Sequence, residues 1–220
     1  MREWNDLPVI GKLLRRFRMR RMRVFGKEFE ITGQTRVLDV GGTPSLWELL
    51  PVRHGCQPRV TILNLPRAAP GRSSCDLVFA SGCALPFADR SFDIVFSNSV
   101  IEHVGDPASQ RRFADEIRRV ACGYFVQTPN RWFPVEPHLL TPLIHFLPRR
   151  WQGTIVRRFT VWQWMERPSE DRRAFYIEHY LKDIRLLSHG DMARLFPDAT
   201  VIRERWWGWT KSLIAVRARG

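Results

Sequence analysis

Short apolar runs alternate with amphipathic segments along most of the chain. Arg36–Val40, Arg59–Leu63, Asp76–Ala80, Phe92–Phe96 and Tyr124–Gln127 each read as a short buried strand. Gly41-Gly42 closes the first of these. Ser45-Leu46-Trp47-Glu48 then has the spacing of a capping box, predicting a helix from about Leu46 to near Pro51. Residues 66–74 hold Pro, Gly and Ser and read as a loop. Asp106-Pro107 predicts an N-cap followed by proline at the first helical position, and Phe113, Ile117, Val120 and Ala121 give that helix an apolar stripe. Ser188 predicts a cap for a short helix over about His189–Phe196. Thr200–Trp206 and Lys211–Val216 predict two closing strands joined around Gly208 as an antiparallel pair. The order strand, helix, strand, loop, strand, strand, helix, strand predicts an α/β fold. We expect a Rossmann-like doubly wound sheet of about seven strands, mostly parallel with a C-terminal antiparallel strand and helices on both faces.

Two segments stand outside that pattern. Ile10, Leu13, Leu14, Phe17, Val24 and Phe25 lie near one helical face, while Arg15, Arg16, Arg18 and Arg23 lie mostly elsewhere and Arg21 interrupts the face. This predicts a basic amphipathic arm over residues 1–30, ahead of a domain over 31–220. Residues 129–168 are broken by Pro129, Pro134, Pro137, Pro142, Pro148 and Pro168 among aromatic and basic side chains. Long regular elements are not expected there. The segment reads as an insertion that serves as a lid or acceptor region.

Charge sharpens the reading of the arm. Residues 1–27 carry nine Lys/Arg against Glu3 and Asp6, more than half of the formal net charge of +13. Such a segment suits phosphate on an anionic membrane surface, through residues 12–27, or on nucleic acid. Only four of the 35 basic residues are lysine, so an arginine-rich composition is an equally good source of the charge. The chain of 220 residues is long enough to bury roughly 70% of its unfolded surface without staples. Cys56, Cys75, Cys83 and Cys122 are scattered and form no CxxC pair, which suits reduced thiols in a cytoplasm. No apolar run reaches membrane-spanning length and no signal core follows the basic start. A cytoplasmic protein, peripheral to the membrane if the arm docks there, is expected.

Ligands of open parallel sheets bind beyond the carboxyl ends of the strands. Gly41-Gly42-Thr43, Asn64-Leu65, Ser81-Gly82 and Ser97-Asn98-Ser99 fall at such ends. The glycine turn lacks GxGxxG, with Thr43, Pro44 and Ser45 at the later positions, and lacks Gly-Lys-Ser/Thr, which disfavours dinucleotides and nucleoside triphosphates. The string VLDVGGTPS (Val37–Ser45), followed by LPFADRSFDIVFSNSVIEHV (Leu85–Val104), resembles the class I S-adenosylmethionine-dependent methyltransferases, in the broad type 11 small-molecule group. The resemblance runs from about Val37 to Gln127. It implies that Asp39, Gly41, Gly42 and Thr43 form the first-strand loop around the methionine and ribose portion of S-adenosylmethionine. It further implies that Asn64 and Leu65 meet the ribose, and that Ser81, Gly82, Cys83 and Ala84 meet the adenine, with Asn98 and Ser99 completing the site. The family usually places acidic residues where this chain has Asn64 and Ser81.

The sulfonium methyl is already activated, so catalysis needs mostly positioning, plus a base when the acceptor is a hydroxyl. His103, just past the fourth strand, and Glu136 and His138, in the insertion, are the candidate catalytic residues. Each also has a purely structural reading: His103 ordering its loop, Glu136 and His138 capping a proline-rich turn. Glu178, His179 and Tyr180 read as packing. No histidine pairs with a cysteine or carboxylate at metal-ligand spacing along the chain, so no metal is expected. Trp132, Trp151, Trp162 and Trp164, with Trp206, Trp207 and Trp209, suit an apolar acceptor pocket, a lipid interface or core filling. The reading is methyl transfer to a small-molecule or lipid-like acceptor. The alternatives are an RNA methyltransferase or a non-catalytic binding module of the same fold. Ser97-Asn98-Ser99-Val100 lacks the Asn/Asp-Pro-Pro loop of base amino methylation, which disfavours nucleic acid.

Overall fold

The computed structural model describes residues 8–51, 57–66 and 75–218; residues 1–7, 52–56, 67–74 and 219–220, including Cys56 and most of the loop expected over 66–74, lie outside the described residues. Helix α1 (Pro8–Glu28) opens the chain. Strand β1 (Arg36–Val40), helix α2 (Pro44–Trp47), β2 (Arg59–Asn64), β3 (Asp76–Phe79) and β4 (Phe92–Asn98) follow. Then come α3 (Pro107–Val120), β5 (Ala121–Pro129), a two-residue ladder of β6 (Val135–Glu136) and β7 (Thr141–Pro142), α4 (Arg149–Arg158) and α5 (Val161–Glu166). Helices α6 (Glu170–Asp183) and α7 (His189–Leu195) and strands β8 (Thr200–Trp206) and β9 (Trp209–Arg217) complete it. The main sheet has seven strands in the order β3-β2-β1-β4-β5-β9-β8, mostly parallel with one antiparallel strand, and helices lie around it.

The chain divides into two compact units. Unit 1 comprises Met1–Asn98, Glu116–Val126 and Val216–Gly220; unit 2 comprises Ser99–Asp115 and Gln127–Ala215. In unit 1, β1 pairs in parallel with β2 and β4, with Val40 opposite Leu63 and Ser97, and β2 pairs in parallel with β3, with Asn64 opposite Phe79. These registers bring the carboxyl ends of four strands level.

The core of unit 1 is aromatic. Phe25 of α1 is fully buried and packs edge-on against Trp47, Phe96 and Phe125, with ring centroids 5.8, 5.2 and 5.6 Å apart. Phe17 and Met22 are buried with it, while Lys12, Arg15, Arg16, Arg20, Arg23 and Lys27 are exposed. Helix α1 thus buries its apolar side chains in the core of unit 1 and leaves these cations outside. Arg21 is buried, and its Nη1 donates to Asn98 Oδ1 at 2.9 Å, which explains a cation on the apolar face.

The Leu85–Asp89 turn is held by one residue of α3. Arg119 donates to Leu85 O (3.1 Å), Phe87 O (2.8 Å), Asp89 Oδ1 (2.8 Å) and both carboxylate oxygens of Glu116, whose Oε2 also accepts from Leu85 N at 2.6 Å. The Arg119 hydrogen bonds hold the Glu116 carboxyl below its ordinary range, despite its partial burial.

Two local expectations are corrected. The capping box does not form: helix α2 begins at Pro44, Thr43 is its N-cap with extended backbone and no side-chain cap bond, and Glu48 is already the C-cap. Proline pre-set at the first helical position moves the start two residues earlier, and so places Ser45 inside the helix. Helix α6 was not expected at all. Ser169 caps it, accepting from Arg172 N, with Glu170 and Asp171 in its first turn. In α7, by contrast, Ser188 and Asp191 make the reciprocal cap that the sequence suggests.

Candidate active site: a glycine turn and a histidine–carboxylate array

In unit 1 the candidate residues converge at the level carboxyl ends of β1, β2 and β4. Gly41 takes φ +78°, which a side chain strains to adopt, and its N–H donates to Leu63 O at 2.7 Å. The turn is closed from both sides, by Asn64 Nδ2 donating to Gly42 O (3.1 Å) and Ser97 Oγ donating to Val40 O (3.2 Å). Ser81 Oγ accepts from Cys83 N at 3.2 Å, shaping the turn after β3. Gly41, Thr43, Leu65, Ser81 and Ala84 are exposed along this rim, and Gly42, Asn64, Gly82, Cys83 and Asn98 are half-buried.

Beneath the turn lies Asp39, completely buried. Its Oδ2 accepts from Trp47 Nε1 at 2.8 Å, and among the described residues its Oδ1 has no hydrogen-bond partner. Burial pushes this carboxyl up to about 7, against the smaller lowering effect of the Trp47 bond. The carboxylate fills the space where residue 42 would carry a Cβ, which would lie 1.7 Å from Oδ2. Only glycine fits above Asp39. Trp47 escaped the sequence reading because it looked like a core aromatic of an amphipathic turn.

Unit 2 brings the three catalytic candidates together. His103 ends a single 3₁₀ turn over Ile101–His103, five residues after Asn98 in the chain. Its Nε2 lies 3.1 Å from His138 Nε2, with the rings edge to face. His138 Nδ1 lies 2.7 Å from Glu136 Oε1, and Glu136 Oε2 accepts from Leu139 N at 2.6 Å. Glu136 is fully buried. Glu102, also fully buried, accepts from Thr128 Oγ1 on Oε2 (3.0 Å) and places Oε1 4.0 Å from His103 Nε2. Burial alone would lower His138, but the charge and hydrogen bond of Glu136, with the charge of Glu102, outweigh it and raise its pKa above the ordinary value. His179 of α6 stacks on His103 at 5.7 Å and its Nδ1 lies 2.7 Å from Asp183 Oδ2. Of the cluster read as packing, Tyr180 is buried and Glu178 exposed. Ser99, the last of the cofactor candidates, belongs to this unit: it takes φ +58° and donates from Oγ to Gln127 Oε1 at 3.0 Å.

Glu102 and His179 were missed as site residues, Glu102 because it sat in the shadow of His103. Chain spacing also hid the carboxylate–histidine pairing, which the no-metal expectation took as missing. Glu102, His103 and His138 offer three ligand atoms within 4.8 Å of one another. Of the tryptophans, Trp162 is buried and stacks on Tyr176 at 4.6 Å, while Trp132, Trp151, Trp164, Trp207 and Trp209 are exposed.

Comparison with known proteins agrees with this architecture. A family model described as a methyltransferase domain matches residues 55–123. An uncharacterized methyltransferase of Mycolicibacterium vanbaalenii is 32% identical over 186 residues, covering 80% of this chain and 69% of that protein. With three further mycobacterial relatives the match spans 35–46% of their length. Among solved structures, SAM-dependent methyltransferases from Methanosarcina mazei align with a TM-score of 0.51 at 12% identity, over 90% of this chain and 98% of that one. A chain from Rhodobacter sphaeroides with the provisional name of a Zn-dependent alcohol dehydrogenase aligns at 0.57 and 12%, over 91% and 90%. Both structural likenesses speak for the fold alone. The chain belongs to the class I S-adenosylmethionine-dependent methyltransferase family.

Proposed function

We propose that this protein transfers the methyl group of S-adenosylmethionine to a hydroxyl oxygen of a small, largely apolar or lipid-like acceptor. The observation that carries the cofactor half is Asp39: a fully buried carboxylate with one oxygen unpartnered among the described residues, under a turn where only glycine fits. Such an oxygen is a ready acceptor for N–H or O–H donors of a ligand. Asp39, Gly41 and Gly42 would hold the methionine and ribose portion, Asn64 and Leu65 the ribose, and Ser81 to Ala84 the adenine, with Asn98 beside them. Asn64 spends its amide on Gly42 O, so its carbonyl oxygen is the group left for a ribose hydroxyl. When bound, the cofactor supplies a methyl carbon whose bond to sulfur breaks as the acceptor oxygen bonds to it, the electron pair staying on sulfur.

The array of unit 2 supplies the acceptor half. Glu136 fixes the Nδ1 side of His138, so the Nε2 pair of His138 and His103 is the place where an acceptor hydroxyl leaves its proton. Exposed Trp132, Trp151 and Trp164 in the same unit suit an acceptor with an apolar body. The exposed cations of α1 support docking on an anionic membrane surface. No helix among the described residues is long and apolar enough to cross a membrane. Labelled S-adenosylmethionine, offered with a panel of lipophilic phenols and alcohols, tests the reading. His138→Ala should lower kcat by about 100-fold or more while cofactor affinity is kept. Transfer to RNA instead, or undiminished turnover in His138→Ala, would overturn it.

A further inference from the structure

We propose that Glu102, His103 and His138 form a binding site for a divalent transition-metal cation, whose open coordination positions take the acceptor's oxygen. The inference rests on the reading of unit 2 as the acceptor half, and it would recast the two histidines from proton acceptors to cation ligands.

Three features support a built site rather than a chance cluster. First, the donor set is two imidazole nitrogens and one carboxylate oxygen, a combination that holds zinc and related cations and leaves positions for water or substrate. Second, the spacing fits. A cation about 2.05 Å from both Nε2 atoms subtends about 98° at their 3.1 Å separation, between octahedral and tetrahedral values. Glu102 Oε1 stands 4.0 Å from His103 Nε2, and all three ligand atoms lie within 4.8 Å of one another, so the Glu102 side chain must swing in by about 1 Å to complete the set. Third, the ligands are oriented from behind. Glu136 Oε1 holds the Nδ1 of His138 at 2.7 Å and is itself anchored by Leu139 N, the carboxylate–histidine support that metal-binding imidazoles commonly have. Thr128 Oγ1 occupies Oε2 of Glu102, leaving Oε1 on the side of the histidines. Access exists, since the side chains of His103 and His138 are 31% and 15% exposed. The two Nε2 atoms are within hydrogen-bond distance of each other, and a bound cation would replace that contact.

The test uses the full chain after chelator treatment, titrated calorimetrically with Zn²⁺ and spectroscopically with Co²⁺, whose visible d–d bands report nitrogen and oxygen ligands. One equivalent should bind with micromolar affinity or better. His138→Ala and Glu102→Gln should abolish it, and Glu136→Gln should weaken it by about 10–100-fold. Circular dichroism and titration of each variant with S-adenosylmethionine show whether the fold and the cofactor half are intact. Absence of stoichiometric binding, or equal binding in His138→Ala from thiols such as Cys75 or Cys83, overturns the cation site. The methyl-transfer reading fails separately, through loss of cofactor binding or turnover in the wild-type protein.

Discussion

Asp39→Asn exposes the conflict between stability and function at the glycine turn. The Asp39 carboxyl is fully buried with a single hydrogen bond, from Trp47, and titrates at about 7 instead of 3.8. Because the folded state holds this proton more tightly than the unfolded chain, stability falls as pH rises from the ordinary carboxylate range to about 7. Three pKa units correspond to about 4 kcal/mol of destabilisation, fully developed above neutrality. Asparagine removes the charge and keeps an oxygen for Trp47 Nε1. It also buries an amide with no acceptor, at a cost of about 1–3 kcal/mol. The variant should therefore be more stable than wild type by about 1–3 kcal/mol at about pH 8, an increase of about 2–4 °C in Tm per kcal/mol. At about pH 5, where wild-type Asp39 is protonated, that advantage should vanish or reverse. Thermal and urea unfolding at the two pH values read this directly, and calorimetry should show that the stabilised variant has lost most of its affinity for S-adenosylmethionine. A variant equally or less stable at high pH, or one that binds the cofactor as well as wild type, would refute the reasoning.

Cofactor binding should release protons near neutrality, because donors brought to Asp39 Oδ1 favour its ionised form; calorimetry in two buffers of different ionisation enthalpy measures that release. Gly42→Ala would drive its Cβ into Asp39, so affinity should fall by at least about tenfold with the Trp47 bond broken, read by tryptophan fluorescence. Arg119→Ala unfastens the Leu85–Asp89 turn and should cost about 2–3 kcal/mol in urea unfolding. Changing Arg15, Arg16 and Arg20 to Gln should weaken cosedimentation with anionic vesicles by about 100-fold, with no change on neutral ones; equal binding would remove the membrane from the account.

Much of this architecture is legible in the sequence because its signals are local. The strands at Val37–Val40 and Ile94–Phe96 are apolar runs bounded by polar turn residues, and Asp106-Pro107 and Ser188 announce helices within a few residues. Signals that depend on the third dimension were not legible. Arg21 looks like a flaw in an apolar face until Asn98 is placed beside it, and Trp47 looks like filler until it donates to Asp39. The array of Glu102, His103, Glu136 and His138 spans residues 102–138, so no spacing rule gathers it. Helix α6 was hidden because its polar, aromatic sequence keeps only Ile177 and Tyr180 buried, too few for a visible stripe.

The central claim is that the turn over Asp39 holds S-adenosylmethionine. Calorimetric titration of the purified protein with S-adenosylmethionine and S-adenosylhomocysteine tests it most directly. One site of micromolar affinity is expected, lost in Gly41→Arg while the fold persists. No heat of binding up to millimolar cofactor, from a protein shown to be folded, would contradict it.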